Sequence, residues 1–176
     1  MQDAGSSPDR SSSRTQLVRT GIGYDSHRFA PGGRLLLGGV EVAADIHLAG
    51  HSDGDAVAHA LTDALLGAAA QGDIGEMFPD TDPSNRNRDS MEMLGAAVTR
   101  LNSIGFSVVN VDVTVIAESP KIGGHRVAIR ERLAGVLGVT SADVGIKGKT
   151  NEGMGWIGRG EGLACIAVAT LERDSA

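Results

Sequence analysis

Between residues 106 and 118 the chain reads FSVVNVDVTVIAE, and this alternation constrains the fold more than any other stretch. Side chains of an extended chain point alternately to opposite faces. Val109, Val111, Val113 and Val115 therefore share one face, and Asn110, Asp112 and Thr114 the other. A strand with one apolar face needs a covering layer, and three segments have the pattern of helices. DAVAHALTDALLGAAA (55–70) sets Val57, Leu61, Ala64, Leu65 and Ala68 on one stripe. Ser52 and Asp55 before it have the spacing of a capping box variant. A second helix is expected near 89–104, with Met91, Leu94, Val98 and Leu101 at helical spacing and Gly105 as its stop. A third is expected near 124–137.

The other strands are less regular. Residues 18–28 alternate and are rich in Gly, RLLLGGVEV (34–42) follows through the turn PGG, and VGIKGK occupies 144–149. GLACIAVATLE (162–172) is apolar on both faces, so burial on both is expected. Residues 72–88 hold too many Gly, Pro and Asp for an element and read as a long loop, which in a compact domain is usually functional or disordered. The order of elements predicts an α+β fold, a mixed sheet covered by helices on one face. No internal repeat is present.

With 176 residues, one domain is expected, spanning 18–173. Aromatic residues make up only 3%, so Ala, Val, Leu and Ile must build the core. Residues 1–17, MQDAGSSPDRSSSRTQL, are Ser-rich, carry Asp3 and Asp9 and lack an apolar core, which predicts a disordered tail and neither a secretory signal nor a transit peptide. No apolar run reaches the length of a membrane span. A net charge of −6 argues against a nucleic-acid surface, although a bound metal could still draw an anionic substrate. The single cysteine, Cys165, excludes an internal disulfide and fits a reducing compartment, so a cytoplasmic location is expected.

Two stretches carry chemistry: GIGYDSHRF (21–29) and HSDGDAVAHALTDALLG (51–67). Asp25 and His27 project together from a strand, and His59 stands among apolar neighbours in a helix, where an unpaired imidazole is costly. Asp63, one turn on, is placed to hold the second ring nitrogen of His59. One carboxylate and two imidazoles make a three-ligand zinc set with an open fourth position. Spacing alone does not decide this, since an Asp-x-His pair or a lone helical histidine is more often structural. GKT at 148–150 is not a P-loop, because Asp143 stands where the first Gly is required and the surroundings are a strand. GRGEG precedes a strand, so a dinucleotide fold is not supported either.

Four blocks, GIGYDSHRF, HSDGDAVAHALTDALLGAAAQGDIGEMFPDTDP, SPKI and KTNEGMGWIGRGEG, in that order, together resemble the 2-C-methyl-D-erythritol 2,4-cyclodiphosphate synthase family over about residues 19–172. The resemblance implies an α+β homotrimer around a central cavity, with active sites at its subunit interfaces. It implies that 4-diphosphocytidyl-2-C-methyl-D-erythritol 2-phosphate is closed to the cyclic diphosphate with release of CMP. Carried over residue by residue, it makes Asp25, His27 and His59 the zinc ligands and Glu152 the ligand of a second ion, Mg²⁺ or Mn²⁺. His51 and Ser52 would contact the 2-phosphate, at a helix N-terminus whose free N–H groups favour anions, and His51 with Thr150 would steady the transition state. Asp73, Ile74, Gly75, Phe78, Asp80 and Asp82 would hold the methylerythritol moiety. Ala117, Pro120, Lys121 and Gly123 would form the cytosine pocket, with Lys149, Thr150 and Asn151 beside the nucleotide phosphates.

Some positions depart from the family pattern. Lys149 and Asn151 stand where many relatives have Thr, and Tyr24 and Trp156 where Phe is common. Trp156 and Arg159 resemble residues lining the trimer's central cavity, where some relatives hold an isoprenoid diphosphate; some of those carry an acid at the position of Ile166. Two rival functions use the same features: a zinc phosphohydrolase with water as nucleophile, and a non-catalytic trimer that binds isoprenoid diphosphates. The metal ligands and Glu152 count against the second, since a binder needs neither.

Overall fold

The computed structural model describes residues 16–50 and 52–174. Strands β1 (Gln16–Leu37), β2 (Val40–Leu48), β3 (Ser107–Ile116), β4 (Val144–Lys149) and β5 (Gly162–Asp174) form one sheet in the order β2-β1-β5-β3-β4. Only β3 and β4 are parallel, so the sheet is mixed. Helices α1 (Ala56–Ala68), α2 (Ile74–Met77), α3 (Ser90–Ser103), α4 (Arg126–Leu137) and α5 (Gly155–Gly158) complete the fold. The α+β class expected from the sequence is the one observed. The expected tail, 1–17, lies outside the described residues except for Gln16 and Leu17, which already belong to β1.

The second strand departs from expectation. RLLLGGVEV is a hairpin, not one strand: Leu37 pairs with Val40 across a two-residue turn at Gly38 and Gly39. Both have positive φ, 59° and 72°, the left-handed values that a tight hairpin turn of this hand requires. PGG at 31–33 is not a turn between strands but a bulge within β1, where pairing jumps from Pro31–Ile46 to Arg34–Ala44.

β1 alternates almost without fault. Gly21, Gly23, Asp25 and His27 face α1, and Val18, Ile22 and Tyr24 face away, at 58%, 70% and 56% exposure. A Cβ on Gly23 would stand 1.9 Å from the Ala60 carbonyl oxygen, and one on Gly21 2.1 Å from that of Ala64. These two glycines let α1 lie directly on the strand, and its small side chains complete the fit.

α1 is less one-sided than its stripe suggested. Ala56, Ala58, Ala60, Thr62 and Leu66 are buried along with Leu61, Ala64 and Leu65, because the helix lies under α3 as well as on the sheet. Its N-cap is Asp55, not Ser52. The Asp55 carboxylate accepts from Val57 N and Ala58 N at 3.1 Å, and from Gly38 N and Gly39 N at 2.8 and 2.7 Å. Burial pushes this carboxyl up, against the hydrogen bonds of the Gly39, Gly38 and Ala58 amides. One side chain thus fastens the hairpin turn to the helix that carries His59.

The core is aliphatic, with Leu35, Leu37, Leu61, Leu65, Leu94, Leu133, Leu163 and Leu171 fully enclosed. Each contributes about 1.5–3 kcal/mol by leaving water. Val109 is not part of it: a bulge between Val108 and Asn110 turns it outward, at 37% exposure. β5 is fully buried on one face and only partly on the other, where Ala164 is covered. Leu163, Cys165, Ala167, Ala169 and Leu171 point to the helices, while Val168 is exposed on the other side. Burial also pushes the Cys165 thiol up. Gly105 ends α3 as expected, with φ 83° and Phe106 N donating to Leu101 O at 3.0 Å.

Candidate active site

Asp25 and His27, two apart on β1, meet His59 from α1. Asp25 Oδ2 lies 2.9 Å from His27 Nε2 and 3.1 Å from His59 Nδ1, and the two nitrogens are 3.3 Å apart. Among the described residues, this is the group of His, Cys, Asp and Glu whose ligand atoms converge. Its edges match a tetrahedral zinc site, where bonds near 2.0–2.1 Å put ligand atoms about 3.3 Å apart.

The donor chemistry fits a cation as well. His27 Nδ1 donates to the Ala49 carbonyl at 2.8 Å, which leaves a lone pair on Nε2. That lone pair faces a carboxylate oxygen, so a metal or a proton must sit between them. Asp25 shows the same demand. Burial raises its carboxyl, but hydrogen bonds and charge from His27 and His59 outweigh burial and hold it below the usual carboxylate range. The hydrogen bond to Asp25 in turn raises the His27 imidazole above its ordinary value, against burial.

The partner expected behind His59 is a different residue. Asp63 does not reach it; its carboxylate accepts from Ile74 N at 2.8 Å and anchors the loop after α1. His59 Nε2 instead lies 2.8 Å from Ser90 Oγ and 3.0 Å from Ser52 Oγ. No local pattern in the sequence marked Ser90, because only tertiary packing brings the start of α3 to α1. The N-terminus of α1 is not free for an anion either, since Asp55 already takes the Val57 and Ala58 amides. His51 lies outside the described residues.

The triangle opens into a cavity of about 620 Å³. Ser52, Ile74, Gly75, Phe78 and Asp80 line it, joined by Gly50, Asn85, Arg86 and Met93. Asp73 and Asp82 do not line it. Asp73 accepts from Glu76 N at 2.8 Å as the N-cap of α2, and Asp82 from Ser84 N at 2.9 Å. The long loop is thus partly ordered into short helical turns by its own acids.

A second cavity, of about 270 Å³, is bounded by Ala117, Pro120, Lys121, Gly123, Lys149 and Thr150, with Ile122 and Arg126 in addition. The next turn is held by Glu118, whose Oε1 accepts from Asn151 N at 2.9 Å and Gly153 N at 3.1 Å. Glu152 stands there with φ 51° and accepts from Thr150 Oγ1 at 2.5 Å. Trp156 is in α5, and Arg159 just beyond pairs with Glu161 at 2.7 Å. The two cavities share no lining residue. Asp25, Cys165, Val115 and Gly148 form one row across the sheet. Val115 and Gly148 both line the second cavity, so two to three strand spacings, about 10–14 Å, separate it from Asp25.

A family model described as the YgbB family matches residues 18–172. The chain belongs to this family. A curated relative from Gemmatimonas aurantiaca, named 2-C-methyl-D-erythritol 2,4-cyclodiphosphate synthase, is 65% identical over 155 residues, covering 88% of this chain and 93% of its own. The structure is also similar to the bifunctional IspDF of Campylobacter jejuni, with a TM-score of 0.88 at 42% identity, covering 90% of this chain and 43% of that one. A Plasmodium falciparum IspF in complex with CDP aligns with a TM-score of 0.79 at 33% identity, covering 90% of this chain and 97% of that one.

Proposed function

We infer that this YgbB-family chain is a phosphorus–oxygen lyase of the non-mevalonate isoprenoid pathway. It converts 4-diphosphocytidyl-2-C-methyl-D-erythritol 2-phosphate into 2-C-methyl-D-erythritol 2,4-cyclodiphosphate and CMP. The observation that carries the reading is the Asp25–His27–His59 triangle, sized for a tetrahedral cation, at the mouth of a substrate-sized cavity.

An oxygen of the 2-phosphate attacks the β-phosphorus, and the bond from that phosphorus to the α–β bridging oxygen breaks. CMP leaves with the bridging oxygen and its electron pair. Such a transfer depends on positioning and charge neutralisation. Asp25, His27 and His59 hold Zn²⁺, which when bound supplies Lewis acidity at the β-phosphate. Ile74, Gly75, Phe78 and Asp80 enclose the methylerythritol moiety, and Asp73 and Asp82 shape that loop. Ser52 and His51 bind the 2-phosphate. Ala117, Pro120, Lys121 and Gly123 take the cytosine, and Lys149, Thr150 and Asn151 the nucleotide phosphates. Glu152 holds Mg²⁺ or Mn²⁺, an ion that favours few protein ligands plus phosphates.

The two halves come together between subunits of a homotrimer. The separate cavities support this, as does the uncovered sheet face of Val18, Ile22, Tyr24 and Val168. Trp156 and Arg159 border the central cavity, a place for an isoprenoid diphosphate. The buried, unpaired Cys165 suits the cytoplasm.

The test is product identity by phosphorus NMR after incubation with the cytidine substrate, Zn²⁺ and Mg²⁺. Cyclic diphosphate and CMP in equal amounts are expected. CMP with the open 2,4-bisphosphate, or inorganic phosphate cut from the 2-phosphate ester, would favour a zinc phosphohydrolase with water as the nucleophile.

A further inference from the structure

We propose that Ser90, backed by Asp53, is a positioning residue that fixes which ring nitrogen of His59 is presented to the metal. The inference rests on the metal reading of the triangle. To bind a cation, His59 must offer a bare Nδ1 and carry its proton on Nε2. Asp25 works against this in the metal-free chain, because a carboxylate oxygen 3.1 Å from Nδ1 draws the proton there.

Ser90 Oγ, 2.8 Å from Nε2, offsets that pull only if its own proton points elsewhere. A hydroxyl both donates and accepts, so proximity alone decides nothing. Asp53 decides it. Its Oδ1 lies within hydrogen-bond distance of Ser90 Oγ, and an ionised carboxylate can only accept. The Ser90 O–H therefore donates to Asp53, and a lone pair of Oγ is left to receive Nε2–H.

Asp53 is itself fixed. Its Oδ1 accepts from Asp55 N and its Oδ2 from Ser90 N, each at 3.2 Å. Ser90 is fully buried, so water cannot replace its hydroxyl. Ser52 is the other contact of Nε2, at 3.0 Å, but Gly54 N donates to it at 3.2 Å, Ser90 Oγ lies 3.4 Å away, and among the described residues no carboxylate is bonded to it to set its direction. The His59–Ser90–Asp53 relay thus joins α1, the start of α3 and the loop between them and β2.

The test is metal affinity of the full chain, by chelator competition for Zn²⁺, together with the visible spectrum of the Co²⁺-loaded protein. Ser90→Ala should weaken Zn²⁺ binding by about 10–100-fold and alter the Co²⁺ bands. Ser90→Thr, which restores the hydroxyl, should recover most of the affinity. Asp53→Asn keeps the shape but lets the amide donate, which turns the Ser90 proton toward His59; it should lose as much affinity as Ser90→Ala. A Ser90→Ala protein with parental affinity and spectrum would overturn the proposal, as would an Asp53→Asn protein indistinguishable from the parent. Ser90→Thr binding as weakly as Ser90→Ala would reduce Ser90 to packing. A parent that takes up neither metal would instead sink the metal reading, and the proposal with it.

Discussion

At the scale of single residues, the triangle is a place where a proton and a metal compete. The hydrogen bond to Asp25 raises His27 above the ordinary imidazole value of about 6.5. In the metal-free chain that proton stabilises the fold fully below about 6.5, and the contribution is lost as pH rises through the raised value. Metal binding has the opposite sign, since the ion must displace the proton. Zn²⁺ affinity should be flat above the raised value and fall about tenfold per pH unit below it. A pH series of chelator competition checks this: the break should lie above 6.5 and move to more acidic pH in Asp25→Asn, whatever affinity that variant keeps. Asp25 and His27 were legible as a pair on one strand face, but it was the family resemblance, not spacing, that joined His59 to them. Ser90 was not legible, because its role comes from α3 crossing α1. Asp63 was misjudged for the same reason: sharing a helical face with His59 does not decide which group lies nearer in space.

At the scale of elements, the contact that matters most is α1 on β1. A Cβ on Gly23 would meet backbone, at 1.9 Å from Ala60 O and 2.7 Å from Ala64 N, so no side chain can yield to it. Gly23→Ala must push α1 outward, and His59 with it, while Asp25 and His27 stay on the strand. We expect a loss of about 1–3 kcal/mol in urea unfolding and a weaker hold on Zn²⁺. Unchanged metal affinity in a destabilised Gly23→Ala protein would show that His59 follows the strand and not the helix. Helices and strands were legible where apolar period and stop signals agreed, as in α3 with Gly105. They were misread where two glycines had two uses. Gly32 and Gly33 make a bulge, Gly38 and Gly39 the true reversal, and only strand pairing distinguishes them.

At the scale of the whole molecule, the triangle and the second cavity are two to three strands apart in one chain. In the proposed cyclic trimer one chain's triangle meets its neighbour's second cavity, so each chain gives half of two sites. His59→Ala and Glu152→Ala chains, each inactive alone, should therefore complement each other. Unfolded together and reassembled at equal ratio, they should regain about a quarter of parental activity, the chance that one site draws both intact halves. Mixed assemblies without recovery would place both halves in the same chain. The outer face of the sheet explains a further misreading. β5 reads as buried on both sides, yet Val168 on its outer face is 37% exposed in the single chain, a face that the proposed trimer would cover. β1 takes this furthest: its odd positions from Gly21 to His27 carry the helix seat and two ligands, and its even positions Val18, Ile22 and Tyr24 the uncovered apolar face. The candidate site and the uncovered apolar face are thus written in alternate letters of a single strand. Loss of one letter between Ile22 and Tyr24 would exchange the two messages on one side of the cut, so in this segment a lineage can substitute residues but has almost no freedom to insert or delete them.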